Sequence, residues 1–324
     1  MRSGVNPQKY LDKRNVRFWH RILVPIHIPD LENDYYKESL DITKICLERL
    51  IATINPETTA ITVINNNSIV QLRDLLSELM PSVDKVVHYN SNKGKVNAVL
   101  AEVRGAYEPF ITITDADVLF FAGWETAVFE VFQTHPKAGV VSPLPMPALA
   151  FYHNESLFFD HLISSRLKYG SVTSQKDHQL YLKSMSNDAL LKRVGSQPNW
   201  NEKQYYLDRK TKAIVGAGHF AATYRTKLFR GEESFPERVF ENAYESVFID
   251  QLASIKGYYR LSTKETFAYH MGNKLDKDIP ESDLPLTEKI DKDLFTLIQE
   301  PRIVKIPFAI KKAIFKLVKR IRNR

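Results

Sequence analysis

Two aspartates that lie two positions apart are the residues of this chain with the clearest capacity for chemistry. Asp115 and Asp117 follow the apolar, β-rich run 110–114. Because side chains alternate along an extended chain, both carboxylates can face one point just beyond the strand. Carboxylate oxygens suit Mg²⁺ or Mn²⁺, and such an ion suits a diphosphate. The pair therefore indicates a nucleotide-sugar site, although aspartates at this spacing also occur in ordinary turns.

Polar side chains also follow two other predicted strands. Asn66 lies in the run 65–68 after the second strand, where an amide could contact a base or ribose or simply form an Asx turn. Lys93 and Lys95 flank Gly94 in a loop that opens a helix after the third strand. A helix N-terminus with two cations favours an anion, and a solvated loop with surface lysines is the alternative.

Two residues in the second half of the chain could complete such a site. Asp250 lies among apolar residues of a predicted helix, where its surroundings could tune its pKa for a general base. Glu245 would lie about 140° away on an α-helix, so it is a second candidate and not a partner of Asp250. His270 could bind a metal through neutral imidazole or be a structural histidine. The glycines before His219 permit a turn beside a ligand, or simply a turn.

The elements that must position these residues alternate between strand and helix. Strands are predicted at 21–28, 60–64, 85–89, 110–114, 213–215, 220–224, 258–262 and 266–269. Helices are predicted at 35–54, 69–80, 93–105, 124–133 and 244–255. This alternation predicts an α/β fold whose mainly parallel sheet carries helices on both faces. Open sheets of this kind bind ligands at the carboxyl ends of their strands, where the polar residues fall.

Composition and charge exclude several classes of protein. The chain has 324 residues, of which 44% are hydrophobic and 26% charged, as in ordinary globular proteins. Its single cysteine, Cys46, allows no intrachain disulfide and fits a reducing cytoplasm. Residues 301–324 contain nine cations and no acid, which is more than the net charge of +7 of the whole chain. The rest of the chain is therefore slightly acidic, so no nucleic-acid partner is expected. No signal peptide or transmembrane helix is expected.

The runs Asn-Asn-Asn-Ser, Asn-Lys-Gly-Lys and Asp-Ala-Asp, followed by Asp250 and His270, resemble the GT-A-fold glycosyltransferases in order and spacing. The likeness is greatest to the large inverting class called family 2, and it covers residues 20–273. It implies a GT-A, Rossmann-like sheet and a metal-dependent transferase that moves a sugar from a nucleoside-diphosphate sugar to an acceptor hydroxyl with inversion. It also implies Mn²⁺ or Mg²⁺ as the metal, UDP in preference to GDP, and a role in bacterial surface glycan or glycolipid synthesis.

The resemblance assigns a role to each candidate residue. The residues that it implies for the nucleotide are Pro25, Ile26, Asn66, Lys93, Lys95, Asp115 and Ala116. The residues that it implies for the metal are Asp115, Asp117 and His270. Asp250 would be the catalytic base, although Ile249 stands where the family's Glu-Asp pair has its first acid. Residues 148–212 match no part of the family pattern.

The sequence divides into three predicted parts. These are a GT-A domain over 1–273 with an acceptor-side insertion at 148–212, a linker at 274–300 and a basic amphipathic tail at 301–324. The apolar face of the tail is predicted to contain Ile303, Ile306, Ile310, Ala313, Ile314, Leu317 and Ile321. Such a helix is typical of a segment that lies on an anionic membrane, and a cationic helix docked on the body or a disordered tail is the alternative. The expected location is therefore the cytoplasmic inner face of a membrane, with a glycan or lipid-linked acceptor.

Three other classes of protein share parts of this pattern. A nucleotidyltransferase that makes a sugar nucleotide normally has a Gly-rich loop with Arg and Lys after its first strand. Here that loop, 29–34, is acidic and lacks glycine. A non-catalytic glycan-binding protein with the same fold and a retaining transferase both remain open.

Overall fold

A ten-stranded sheet forms the centre of the protein. The computed structural model describes residues 3–5, 18–185, 197–232, 234–275, 280, 285–286 and 288–322. The strands are β1 (His20–Ile26), β2 (Thr59–Asn66), β3 (Lys85–Tyr89), β4 (Phe110–Thr114), β5 (Val118–Phe120), β6 (Ala138–Ser142), β7 (Leu167–Gly170), β8 (Gln204–Leu207), β9 (Ala213–Val215), β10 (Ala221–Arg225), β11 (Tyr259–Ser262) and β12 (Ala268–His270). The α-helices are α1 (Ser39–Thr53), α2 (Val70–Leu79), α3 (Lys95–Gly105), α4 (Trp124–Thr134), α5 (Glu155–Asp160), α6 (Gln175–Met185), α7 (Gln251–Ile255), α8 (Lys292–Thr296) and α9 (Phe308–Arg322).

The order of the strands confirms the predicted α/β fold with a mainly parallel sheet. The order is β3-β2-β1-β4-β10-β6-β11-β9-β8-β7, and β5 and β12 form a second, two-stranded sheet. Strands β3, β2, β1 and β4 are parallel neighbours, and β10 lies antiparallel between β4 and β6. All eight residues of β2 are buried, as expected of a parallel strand that is covered on both faces. The carboxyl ends of β1, β2 and β4 therefore share one edge of the sheet.

The first helix begins later than its apolar pattern predicts. The prediction began it at Tyr35, whereas α1 begins at Ser39. The Asp30 carboxylate accepts the backbone N–H groups of Glu32 and Asn33, at 3.1 and 2.8 Å. Side chains that bond nearby backbone groups in this way compete with helix formation. The preceding segment is held in turns instead, so Tyr35 and its neighbour stand beside the sheet edge.

The predicted insertion at 148–212 is part of the main sheet. It contains α5, α6 and the strands β7 and β8, which extend the sheet at the end away from β3. Strand β8 pairs antiparallel with β9, so the insertion continues the hydrogen bonding of the sheet. Residues 186–196 lie outside the described residues.

The predicted linker is packed against the body over residues 288–300. Ile290 and Phe295 are buried in the main hydrophobic cluster, and the side chain of Asn55 donates to the backbone oxygen of Ile290 at 2.9 Å. Although this segment is highly charged, its few apolar residues anchor it to the body. The predicted linker residues 276–279, 281–284 and 287 lie outside the described residues.

The tail forms the helix α9, which docks on the body along one face. Phe315 is buried and its ring lies 5.5 Å from that of Phe158 and 6.2 Å from that of Phe151. The Lys311 ammonium is also buried and donates to the hydroxyl of Ser156 at 3.1 Å. Among the described residues, no helix is long and apolar enough to span a membrane.

Candidate active site

Asp115 and Asp117 lie between β4 and β5, at the carboxyl edge of the main sheet. The backbone N–H of Asp115 donates to the backbone oxygen of Phe220, at 2.8 Å, which ties the turn to the segment before β10. Strand β5 pairs antiparallel with β12 so that Val118 lies opposite His270. This pairing brings His270 beside Asp117, although about 150 residues separate them in sequence.

The side chains of Asp115, Asp117 and His270 form one cluster. Their ligand atoms all lie within 4.8 Å of one another, and His270 Nε2 lies 3.3 Å from Asp117 Oδ2. Burial raises the pKa of Asp117 to about 6; the His270 charge opposes this rise and the Asp115 carboxylate adds to it. Asp117 Oδ1 is buried and has no hydrogen-bond partner among the described residues. An unpartnered buried carboxylate oxygen is costly, and a divalent cation would satisfy it, so these residues fit a metal ion.

A pocket of about 190 Å³ opens beside this cluster. Five of the residues that were predicted for the nucleotide or the metal line it: Pro25, Ile26, Asp115, Ala116 and Asp117. The carboxyl end of β1 therefore meets the acid pair in one cavity, as the ligand position of open parallel sheets requires. The pocket is bounded by polar and apolar groups and is open to solvent.

Sequence reasoning missed several residues that line the same pocket. They are Tyr35, Tyr36, Ser39, Ile42, Thr43, Gly272 and Asn273. The rings of Tyr35 and Tyr36 meet edge to face with centroids 4.9 Å apart. The sequence predicted a helix over Tyr35 and Tyr36, so their place in the pocket lining was not predicted. The acidic, Asn-containing loop before them was the available signal, because such loops favour turns over helices.

Three of the predicted nucleotide residues, Asn66, Lys93 and Lys95, do not line the pocket. Asn66 is buried, and its side chain donates to Asn92 Oδ1 at 2.9 Å and accepts the backbone N–H of Lys93 at 2.8 Å. Its amide therefore fixes the loop after β3. The Lys93 side chain is exposed.

Lys95, by contrast, lies at the acid pair. Its ammonium forms an ion pair with Asp115 and lies 3.8 Å from a carboxylate oxygen of Glu245. Burial acts to lower the pKa of Lys95, but the charges of Asp115 and Glu245 more than offset this and hold the pKa above its ordinary value. The ammonium is thus charged and placed where it can meet an anionic group of a bound ligand.

Asp250 is fully buried within a network of its own. Arg260 NH2 lies 3.0 Å from Oδ1, and Oδ2 accepts hydrogen bonds from Tyr152 at 2.9 Å and His219 at 3.0 Å. Burial alone would raise the pKa of Asp250, but Arg260, His219 and Tyr152 hold it far below its usual range. A buried carboxylate with such a low pKa is a weak and poorly accessible proton acceptor.

His219 connects the buried Asp250 carboxylate to a solvent-exposed side chain. Its side chain is 41% exposed, whereas that of Asp250 is 0% exposed. A carboxylate can only accept, so His219 Nδ1 carries the proton and Nε2 is left free to accept one. The next residue, Phe220, bonds Asp115 through its backbone and places its ring centroid 5.1 Å from that of His270. The backbone just after His219 is therefore hydrogen-bonded to the turn that carries Asp115.

Asp250 is the last residue of a π-helix at Ser246–Asp250. Such i→i+5 segments are rare and are often found at functional sites. The extra residue per turn changes the angle between Glu245 and Asp250 from the value expected for an α-helix. Glu245 contacts Lys95, and Asp250 turns inward to Arg260.

Comparison with known proteins agrees with the class of protein that the fold and the acid pair define. The model of the family described as glycosyl transferase family 2 matches residues 35–229. Since this is more than half of the chain, the protein belongs to glycosyl transferase family 2. The family and the enzyme class predicted from the sequence motifs, a glycosyltransferase, are thereby confirmed. No curated protein sequence matched the chain.

Several solved structures also match this chain, at low sequence identity and each over little more than half to about two thirds of its own length. Staphylococcus aureus TarS 1–349 with UDP has 12% sequence identity and a TM-score of 0.43, and the match covers 77% of this chain and 59% of that one. TarS 1–349 with UDP-GlcNAc has 12% identity, a TM-score of 0.45 and coverages of 91% and 70%. The mannosyltransferase PcManGT from Pyrobaculum calidifontis, with GDP-Man and Mn²⁺, has 14% identity, a TM-score of 0.43 and coverages of 78% and 56%.

Proposed function

We propose that the protein is a metal-dependent glycosyltransferase that moves a sugar from a nucleoside-diphosphate sugar to an acceptor hydroxyl with inversion. The observation that carries this proposal is the convergence of Asp115, Asp117 and His270 at one end of a pocket that β1 also lines. A cation held by these groups would neutralise the departing diphosphate. The Lys95 ammonium, which forms an ion pair with Asp115, supplies a second positive charge beside the acid pair.

The nucleotide would lie along the end of β1. Pro25 and Ile26 would contact it, and Tyr35 and Tyr36 offer aromatic faces at the mouth of the pocket. We propose UDP in preference to GDP, and Mn²⁺ or Mg²⁺ as the metal. The roles of Asn66 and Lys93 would be indirect, because they shape the loop from which Lys95 projects.

Nucleotide binding should require the metal. We expect calorimetric titration with UDP to give a saturable signal with Mn²⁺ or Mg²⁺, and binding should be lost in EDTA and restored by excess metal. The same titration with GDP should give weaker binding. A screen of UDP-sugars by thermal shift would then identify the donor, because a ligand that binds the folded state raises its melting temperature. Unchanged binding or full transfer activity in chelator would contradict the metal assignment.

The sequence predicted Asp250 itself as the catalytic base. Because Asp250 is buried and its pKa is lowered, we propose instead that His219 takes the acceptor's proton and that Asp250 positions His219. Asp250 would hold His219 in the tautomer whose Nε2 is free, and it would stabilise the imidazolium that forms. The hydrogen bond of 3.0 Å between the two side chains supports this assignment. Glu245 is the competing candidate, because its carboxylate lies near Lys95 at the acid pair.

We further propose that the tail lies on an anionic membrane at the cytoplasmic face, where a lipid-linked or glycan acceptor would be met. At about 100° per residue, the docked Lys311 and Phe315 occupy one face of α9, and two other rows remain outside it. The apolar row contains Ile310, Leu317 and Ile321, which are 48%, 59% and 65% exposed. The cationic row contains Lys312, Lys316 and Arg320, all exposed. Exposed apolar and cationic rows side by side match the boundary between acyl chains and anionic headgroups.

The membrane proposal predicts that the outer apolar row is needed for vesicle binding. The double substitution Ile310→Ser/Leu317→Ser should weaken binding to phosphatidylglycerol vesicles about tenfold or more, because a fully buried Ile or Leu side chain contributes about 1.5–3 kcal/mol. Sedimentation with vesicles measures this. The control Val70→Ser/Leu297→Ser removes two similarly exposed side chains elsewhere and should bind like the wild type. Equal binding by both variants would contradict the proposal.

A further inference from the structure

A second concave site lies at the opposite edge of the sheet from the acid pair. It is a pocket of about 330 Å³, and its floor includes Lys137, just before β6, and Tyr259, at the start of β11. Both strands run parallel to β4, so their amino ends lie away from Asp115. This pocket is therefore separate from the proposed donor site.

The pocket carries an excess of positive charge. Its cations are Lys137, Arg166, Arg209 and Arg302, and its one carboxylate is that of Asp160. Asp160 is already engaged: its Oδ2 accepts from Lys137 at 2.6 Å and from the Tyr259 hydroxyl at 2.8 Å. Within the described residues, the three guanidinium groups form no ion pair with a carboxylate. With four cations and one acid, and otherwise uncharged lining groups, this pocket is strongly positive.

The neighbouring histidines add no charge to this pocket. Burial lowers the pKa of His135 to about 4. The hydrogen bond to the Thr211 oxygen acts to raise this pKa, and the Arg209 charge lowers it further. Burial also lowers the pKa of His161, and the cations of Lys137 and Arg166 act in the same direction against Asp160. Both imidazoles are therefore neutral at pH 7. A bound anion would reduce the electrostatic cost of holding the guanidinium groups together.

We propose that this pocket binds the phosphate group of a phosphate ester or diphosphate. Guanidinium groups pair with phosphate oxygens through two parallel hydrogen bonds, and Arg166, Arg209 and Arg302 come from three different segments around one cavity. Arg302 also belongs to the segment that leads into α9. The phosphate could belong to a lipid headgroup that meets the same surface or to a soluble phosphate ester, since the recognition chemistry is the same.

The first experiment tests anion binding directly. Inorganic pyrophosphate should bind the full-length protein in EDTA, which keeps the acid pair free of metal and makes the result independent of the proposed transfer reaction. Arg166→Gln/Arg209→Gln should weaken this binding about tenfold or more, because each substitution removes charge-assisted hydrogen bonds to the phosphate oxygens. The control Arg49→Gln/Arg73→Gln removes the same charge from α1 and α2 and should bind pyrophosphate normally. Equal affinity in the two double variants, or no binding by the wild type, would overturn the proposal.

A second experiment distinguishes the two sources of the phosphate. Vesicles that contain phosphatidic acid present a phosphomonoester, whereas phosphatidylserine vesicles match their negative charge with a different headgroup. If a lipid supplies the phosphate, Arg166→Gln/Arg209→Gln should lose its preference for phosphatidic acid while Ile310→Ser/Leu317→Ser binds both vesicles weakly. If a soluble ester supplies it, the arginine variant should lose pyrophosphate binding and keep wild-type binding to both vesicles. Unchanged pyrophosphate binding together with an unchanged vesicle preference would overturn the site.

Discussion

Asp117→Asn should lower the rate of metal-dependent donor turnover about 10²–10³-fold or more, and excess Mn²⁺ should not restore it. A divalent cation contributes several kcal/mol to stabilising the charge of a leaving diphosphate, and each 1.36 kcal/mol is a factor of ten in rate. Asn offers one neutral oxygen where the carboxylate offers charge, so the ion would be held weakly between Asp115 and His270. Hydrolysis of the donor without acceptor measures the effect before the acceptor is known.

The pH dependence gives an independent check on the same residue. With no metal bound, burial raises the pKa of Asp117 to about 6, from an ordinary value of 3.8. The protonated form of Asp117 therefore contributes to folding stability below pH 3.8, and this contribution is lost as the pH rises through about 6. A cation must displace the proton, so Mn²⁺ should raise the melting temperature at pH 7.5 and have little effect at pH 5. Asp117→Asn should abolish this shift, while Asp30→Asn, outside the pocket, should keep it. A shift that persisted in Asp117→Asn would place the metal elsewhere.

The sheet and the acid pair at its carboxyl edge could be predicted from the sequence because both depend on local patterns of residues. Strands such as β2 are buried on both faces, so their central residues are mostly apolar and β-branched. The polar residues that end those strands must fall at one edge of a parallel sheet, so Asp115 and Asp117 could be placed there. The sequence offered His270 as a possible metal ligand, but only the resemblance placed it beside Asp117, because the β5–β12 pairing joins segments that are far apart in sequence.

The surroundings of Asp250 could not be predicted from the sequence in the same way. They depend on the π-helix that redirects its side chain and on Arg260, which β11 brings underneath it. No periodic pattern marks either feature. An acid among apolar helix residues is compatible with an exposed charge, a catalytic base or a buried ion pair, and only tertiary packing decides between them. For the same reason Asn66, a reasonable nucleotide contact by position, is a loop-fixing side chain in the structure.

His219→Gln should lower kcat for sugar transfer about 10²–10⁴-fold, the usual contribution of a general base. Gln can preserve a hydrogen bond to Asp250 but cannot take up a proton at neutral pH, so donor affinity should change little. Steady-state kinetics with the identified donor and acceptor separate kcat from the donor KM. Asp250→Asn should also abolish transfer with donor binding nearly intact, if the variant folds. Because removing one partner of a buried ion pair can cost about 3–5 kcal/mol, its melting temperature must be measured first.

The competing base makes the outcome for His219 decisive. Glu245 is a carboxylate near Lys95, and Glu245→Gln would cause the large loss in kcat if it accepted the proton instead. In that case His219→Gln should stay within a few-fold of the wild type, and the assignment to His219 would fail. If His219 and Asp250 act as one unit, the double variant should be no slower than the slower single variant, since residues that act together are not additive. His88→Gln, which alters a histidine bonded to Asn65 on β2, should leave kcat unchanged and controls for the loss of an imidazole as such.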